Sequence, residues 1–124
     1  MLPDLQSRSD IQVLIDDFYA RVREDETIAY IFNDVMKVNW ESHLPKIADF
    51  WETTLFGATS YNGNTLQAHL DIDKAEKLKP KHFERWLQLF QETVDNHFSG
   101  TNAERIKQRA LSIATVMQIK LSEQ

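Results

Sequence analysis

The chain has 124 residues, of which 42% are hydrophobic and 10% aromatic, and it contains no cysteine. This length predicts one domain over residues 1–124 with a single core, and the lack of cysteine excludes disulfides, thiolate zinc sites and iron–sulfur clusters. The net charge of −5 disfavours nucleic acid and anionic lipid as partners. Because residues 1–12 lack a leader pattern and no stretch reaches the roughly 20 apolar residues of a transmembrane helix, we expect a cytoplasmic protein that does not bind membranes.

The N-terminal part of the chain predicts an amphipathic helix followed by a turn. At about residues 9–24, apolar residues recur at three- and four-residue steps behind a capping box formed by Ser9 and Gln12. The next segment, residues 26–33, is too short for an independent helix and predicts a turn or one short helix. Phe32 would be the buried anchor of this segment.

A second helix is predicted at about residues 39–56, ending at Gly57. Pro45 lies inside this pattern, and a proline in a helix removes one hydrogen bond and clashes with the preceding turn. The sequence therefore leaves two alternatives, a helix that begins near Pro45 or, as we favour, one with a kinked or loosened start. Residues 57–65 are rich in turn formers, and a short helix at residues 66–70 follows.

The C-terminal part of the chain predicts two long helices. Pro80 stands where a first-turn proline belongs, and apolar residues continue at helical spacing until Gly100. Thr101 and Glu104 then form a capping box that begins the last helix. The result is an all-α domain whose connections are too long and irregular for an up-down bundle, which leaves room for an enclosed ligand.

Two of the four histidines are candidates for a metal site. His82 and His97 fall toward the polar side of their helix, so we expect both to face solvent. His43 and His69 lie on or beside apolar faces, where an imidazole must find partners for its polar atoms. Each, taken singly, is more simply explained as a hydrogen-bonded core histidine than as a metal ligand.

Six motifs, in this order and spacing, resemble the truncated haemoglobins of group III. They are FYARV at 18–22, YIFN at 30–33, HLPKIADFW at 43–51, YNG at 61–63, LQAHLDI at 66–72 and ERWLQLF at 84–90. The resemblance covers the chain from about Ser9 to its end, with departures at Pro45 and at Thr65, where a proline is expected. It implies a globin-like two-over-two helical sandwich around haem b, with a very short first helix and a short proximal helix.

The same resemblance implies the residues of the site. His69 is implied as the proximal ligand of the haem iron, with its second ring nitrogen donating to a backbone carbonyl. Tyr19, His43 and Trp86 match the distal positions, where O–H and N–H donors stabilise the partial negative charge of dioxygen. His43 can donate toward the gas or swing outward and open a path to solvent. The other implied haem contacts are Phe32, Lys46 (to a propionate), Ile47, Trp51, Tyr61, Leu66 and Phe83.

These implications predict a haem b protein that reversibly binds dioxygen, and also nitric oxide or carbon monoxide, at one iron. The enzymatic alternative is peroxidase-like or nitric oxide dioxygenase chemistry on peroxide or nitric oxide. It requires an external reductase, because the chain contains no flavin or nicotinamide motif. A third alternative is a haem-free helical interaction module in which all the aromatic residues fill the core.

Overall fold

The computed structural model describes residues 2–31, 40–57 and 79–122. This part of the chain contains no strand and folds into the helices α1 (Arg8–Val22), α2 (Trp40–Phe56), α3 (Pro80–His97) and α4 (Thr101–Ser122). The prediction of four long helices is therefore confirmed to within about two residues at each boundary. Phe32, the short helix at residues 66–70 and all but the first residue of the segment 57–65 lie outside the described residues.

The four helices form two packed layers. Helix α1 packs against α2 and α3, and α4 packs against α3 and α2. This closed arrangement is the predicted two-over-two sandwich, with α1 and α2 lying over α3 and α4. Residues 2–7, which precede α1, contain no helix. This agrees with the very short first helix that the resemblance implies. No helix in the described ranges is long and apolar enough to cross a membrane.

Helix α1 is capped two residues earlier than predicted. The side chain of Ser7, and not that of Ser9, accepts the backbone N–H of Asp10 at 3.4 Å. Past the end of α1, the carboxylate of Asp25 accepts the backbone N–H of Thr27 at 3.0 Å. This bond closes the turn that the sequence predicted after the first helix.

Helix α2 runs through Pro45. Because it begins at Trp40, the alternative of a helix that starts near Pro45 is wrong, whereas a kink at this proline stays a prediction. Arg8 at the start of α1 forms an ion pair with Asp49 and also donates to the Pro45 carbonyl at 3.4 Å. Gly57 ends the helix as predicted, at a φ of +72° that favours glycine.

Helix α4 takes its N-terminal cap from the beginning of the chain. The carboxylate of Asp4 accepts the backbone N–H groups of Asn102 at 2.9 Å and Ala103 at 2.8 Å. At the preceding Gly100, φ is +140° and a Cβ atom would lie 2.6 Å from Cγ of Asp4. The helix starts at Thr101 as predicted, but Asp4 binds its free N–H groups.

An aromatic cluster at the centre of the core joins α1, α2 and α3. Phe18 and Phe90 are fully buried, with ring centroids 5.0 Å apart. Trp51 and Trp86 stack on Phe90 with ring centroids 5.4 Å and 5.7 Å away. Each such aromatic pair contributes about 0.5–1.5 kcal/mol beyond the area it buries. The cluster fixes three helices relative to one another and so positions the side chains around it.

Candidate functional site

Three helices bring the predicted distal residues together around Tyr19. The Tyr19 ring from α1 lies 6.1 Å from the His43 ring of α2, centroid to centroid. The indole group of Trp86 on α3 is also close to Tyr19, because it influences the pKa of the phenol. Phe18 contacts both Tyr19 and Trp86, with centroid distances of 4.6 Å and 5.8 Å. The aromatic cluster thus sets the spacing of two of the three predicted donors.

Tyr19 is a buried phenol whose proton is hard to remove. Its side chain is 6% exposed. Burial strongly raises the pKa of Tyr19, and the Trp86 indole N–H lowers it in part. The net shift is upward, so the hydroxyl remains protonated at neutral pH and can act as a hydrogen-bond donor.

Trp86 carries a buried donor without an acceptor. Its Nε1 atom is shielded from solvent and makes no hydrogen bond of normal geometry with any residue that the structure describes, although it lies near the phenol of Tyr19. A buried N–H group that lacks an acceptor costs about 1–3 kcal/mol. Such a group lowers the free energy of any complex in which a ligand supplies the missing acceptor.

The remaining predicted contact residues fall into a buried and an exposed set. Trp51 and Phe83 are buried, 3% and 6% exposed, and Phe83 packs against Met117 beside Trp86. Ile47 is partly buried against the core, whereas Lys46 is exposed. Four further predicted residues lie outside the described part of the chain, namely Phe32, Tyr61, Leu66 and His69.

The prediction that His82 faces solvent is wrong. Its side chain is 5% exposed, and its Nδ1 atom accepts the backbone N–H of Lys79 at 2.9 Å. Since Nδ1 is the acceptor, a neutral ring carries its proton on Nε2 and donates to the Tyr30 hydroxyl 3.2 Å away. His82 therefore ties the first turn of α3, which precedes Trp86, to the segment after α1. Its place in the first turn after Pro80 is the sequence signal for this capping role.

His97 is also less exposed than predicted. Its side chain is 33% exposed, and its Nε2 atom donates to the carboxylate of Asp17 on α1 at 2.7 Å. Burial would raise the pKa of Asp17, but the hydrogen bonds from His97 and Arg21 outweigh it and lower this pKa below its usual value. The hydrogen bond between His97 and Asp17 therefore links α1 to α3.

Trp40 is a contact residue that the sequence reasoning missed. Its ring centroid lies 5.3 Å from that of Tyr19 and 5.7 Å from that of His43. The guanidinium carbon of Arg23 lies 5.1 Å from the centroid of the Trp40 ring. The signal was present, because Trp40 precedes His43 by one helical turn on the same apolar stripe.

This arrangement suits the binding of a small polar molecule. It combines one O–H and one N–H donor, an imidazole and aromatic surface, with little solvent access at Tyr19. Within the described ranges, no group of three or more His, Asp or Glu residues could hold a metal ion. The chemistry that the described side chains offer is therefore hydrogen-bond donation in an apolar setting.

Comparison with known proteins identifies the family. The family model of the bacterial-like globins matches residues 5–119. The chain belongs to the bacterial-like globins. This globin is 34% identical over 115 residues to a group 3 truncated haemoglobin of Campylobacter jejuni, covering 90% of this chain and 88% of that relative.

The fold of this globin also has a solved counterpart. It matches the crystal structure of the group III truncated haemoglobin from Campylobacter jejuni with a TM-score of 0.85 and 33% sequence identity. The match covers 98% of this chain and 95% of the other. The predicted family and the predicted fold are thereby confirmed. Membership of the globin family implies a haem cofactor and small diatomic gases as ligands.

Proposed function

We propose that this globin holds haem b through His69 and reversibly binds dioxygen, nitric oxide or carbon monoxide on the side that faces Tyr19 and Trp86. The observation that carries the proposal is the buried Trp86 Nε1 atom, which has no acceptor among the described residues. Haem, when bound, supplies an iron that takes one diatomic molecule. The Trp86 N–H group, which is buried beside the phenol of Tyr19, fits haem with a bound gas, because a gas with partial negative charge supplies the acceptor that this N–H group lacks among the described residues.

Tyr19 and Trp86 are the proposed donors toward the gas. The raised pKa of Tyr19 keeps its hydroxyl protonated at neutral pH, and an indole N–H can only donate. Since both groups are buried, their hydrogen bonds act in a medium of low dielectric constant, where they are stronger than in water. Hydrogen bonds from these donors lower the dissociation rate of a polar gas and leave its association rate unchanged.

The remaining site residues are proposed to hold the cofactor. The ring of His69 would bind the iron through one nitrogen, with its second nitrogen donating to a backbone carbonyl. Lys46 is exposed and would pair with a propionate at the edge of the group. The proposed apolar contacts are Phe32, Ile47, Trp51, Tyr61, Leu66 and Phe83.

The test is an oxygen-binding titration of the haem-loaded protein, followed by removal of oxygen under vacuum. The proposal expects a spectral change that reverses over several cycles, with dissociation faster in Tyr19→Phe and Trp86→Phe. Turnover of nitric oxide or peroxide is measured alongside, with a supplied reductant. Rapid turnover together with rapid loss of the oxygenated spectrum would contradict reversible binding as the function and favour an enzyme.

A further inference from the structure

Arg23 and Trp40 make a contact that the proposed function does not use. The guanidinium carbon of Arg23 lies 5.1 Å from the centroid of the Trp40 ring, within the range of a cation–π interaction. Arg23 is exposed at the C-cap of α1, and Trp40 is the first residue of α2. The contact therefore joins the end of one helix to the start of the next, directly beside the candidate site.

The Trp40 ring is at the same time part of a three-ring cluster with Tyr19 and His43. The centroid distances are 5.3 Å from Trp40 to Tyr19, 5.7 Å from Trp40 to His43 and 6.1 Å from Tyr19 to His43. The His43 ring stands nearly perpendicular to both neighbours, with interplanar angles of 79° to Trp40 and 81° to Tyr19. A change in the His43 rotamer must therefore break two ring contacts at once.

We infer that Trp40 is a positioning residue that holds the His43 ring against Tyr19, and that Arg23 fixes Trp40 in this position. The inference rests on the proposed function, because it concerns the access of a gas to the side where Tyr19 lies. With Trp40 fixed by the guanidinium, the position in which the His43 ring contacts Tyr19 and Trp40, here called inward, has the larger population. Its outward position, which opens a path, is then sampled less often and gas association is slower.

Two observations favour this inference over the alternative, in which the Arg23–Trp40 contact merely holds α1 and α2 together. The two helices are already joined by Arg8, which pairs with both Asp49 and Glu52. Arg23 is exposed, so its replacement opens no cavity in the core. Its removal takes the guanidinium away from the Trp40 ring.

The experiment measures carbon monoxide association and dissociation after flash photolysis of the haem-loaded protein. Carbon monoxide accepts hydrogen bonds weakly, so its association rate reports access more than donor strength. Arg23→Met is expected to raise the association rate about two- to fivefold, the range that a cation–π contact allows. Trp40→Leu should raise it at least as much, whereas Arg23→Lys, which keeps a cation over the ring, should remain within about twofold of the wild type.

A double-mutant cycle separates positioning from general loosening of the fold. In a His43→Ala background the ring that Trp40 holds is absent, so Arg23→Met should have no further effect on association. The matched control is Arg105→Met on α4, where an exposed arginine bonds only weakly to Asn102 of its own helix, at 3.4 Å. This control should leave both rates unchanged.

Proton NMR of the chain as purified gives a readout that does not depend on gas binding. The side-chain protons of Arg23 should show upfield ring-current shifts that Trp40→Leu abolishes, and Arg23→Met should shift the His43 ring protons. A wild type that retains no haem overturns the proposed function and this inference with it. A haem-loaded wild type whose Arg23→Met and Trp40→Leu variants associate at the wild-type rate overturns the inference alone, as does an equal effect of Arg23→Met with and without His43.

Discussion

The indole N–H of Trp86 lies beside the phenol of Tyr19 and lowers a pKa that burial raises, while making no hydrogen bond of normal geometry to a described residue. Two helices thus present two buried donors at one place. Proteins rarely leave a buried N–H group such as that of Trp86 without an acceptor, because it destabilises the fold. We therefore expect that removal of the Trp86 N–H group changes ligand binding more than it changes the stability of the protein.

Replacement of Trp86 by phenylalanine should affect ligand release more than stability. The variant loses apolar area but also loses an unsatisfied buried donor, so the free energy of unfolding should change by no more than about 1 kcal/mol. Dioxygen dissociation should become about two- to tenfold faster, the effect of one hydrogen bond worth roughly 0.5–1.5 kcal/mol. Urea unfolding and stopped-flow dissociation of the haem-loaded variant measure the two quantities.

Phe98→Leu is the matched control for this experiment. Phe98 at the C-cap of α3 is buried in the same core, carries no polar side-chain atom and is not among the proposed contact residues. Its replacement should lower stability by about 1–2 kcal/mol and leave dioxygen dissociation near the wild-type rate. Equal stability losses in the two variants, with equal dissociation rates, would refute the special role of Trp86.

Tyr19 should make the stability of the protein sensitive to alkaline pH. Its pKa is raised in the folded state above the value of about 10 that an unfolded tyrosine has. As pH rises past that value, the unfolded chain releases this proton and the folded chain retains it, so stability falls. The difference in free energy of unfolding between the wild type and Tyr19→Phe should therefore shrink between about pH 9 and pH 11. A difference that stays constant over this range would mean that Tyr19 ionises as readily in the folded protein.

Asp17 should make the stability of the protein sensitive to acidic pH. Its pKa is lowered in the folded state, so its contribution is present above the unfolded value of about 3.9 and is lost as pH falls through the folded value. Asp17→Asn should consequently lie further below the wild type in stability at about pH 5 than at about pH 3. The control is Asp16→Asn, which removes an exposed neighbouring carboxylate and should show little of this trend. Identical pH profiles for the two variants would contradict the role given to the His97 and Arg21 bonds.

The sequence predicted those features that depend on local spacing. Helix positions follow from apolar periodicity, and Tyr19, His43 and Trp86 were identified from short motifs, although their roles remain proposals. The stop at Gly57 likewise follows from a conformation that only one residue type adopts readily. Such signals lie within a few residues of the feature they specify.

Features that depend on contacts between distant residues were missed. His82 is buried because it bonds to Tyr30, 52 residues earlier, and Asp4 caps α4 across 98 residues. The local pattern marks neither Tyr30 nor Asp4 as a partner, because the groups that they bond lie far away in the chain. Trp40 lies within the second helix that the sequence predicted, but its contacts with Arg23 and Tyr19 arise only when α1 and α2 pack together.

The most direct test of the central claim is the visible absorption spectrum of the haem-loaded protein in its ferric, ferrous and carbon monoxide forms, recorded beside His69→Ala. We expect globin-like spectra in the wild type and a clear change, or loss of haem, in the variant. Because the two proteins differ only at residue 69, a changed spectrum would assign the bond to the iron to His69. A wild type that retains no haem, or a His69→Ala variant with unchanged spectra, would contradict the proposal that this globin holds haem through His69.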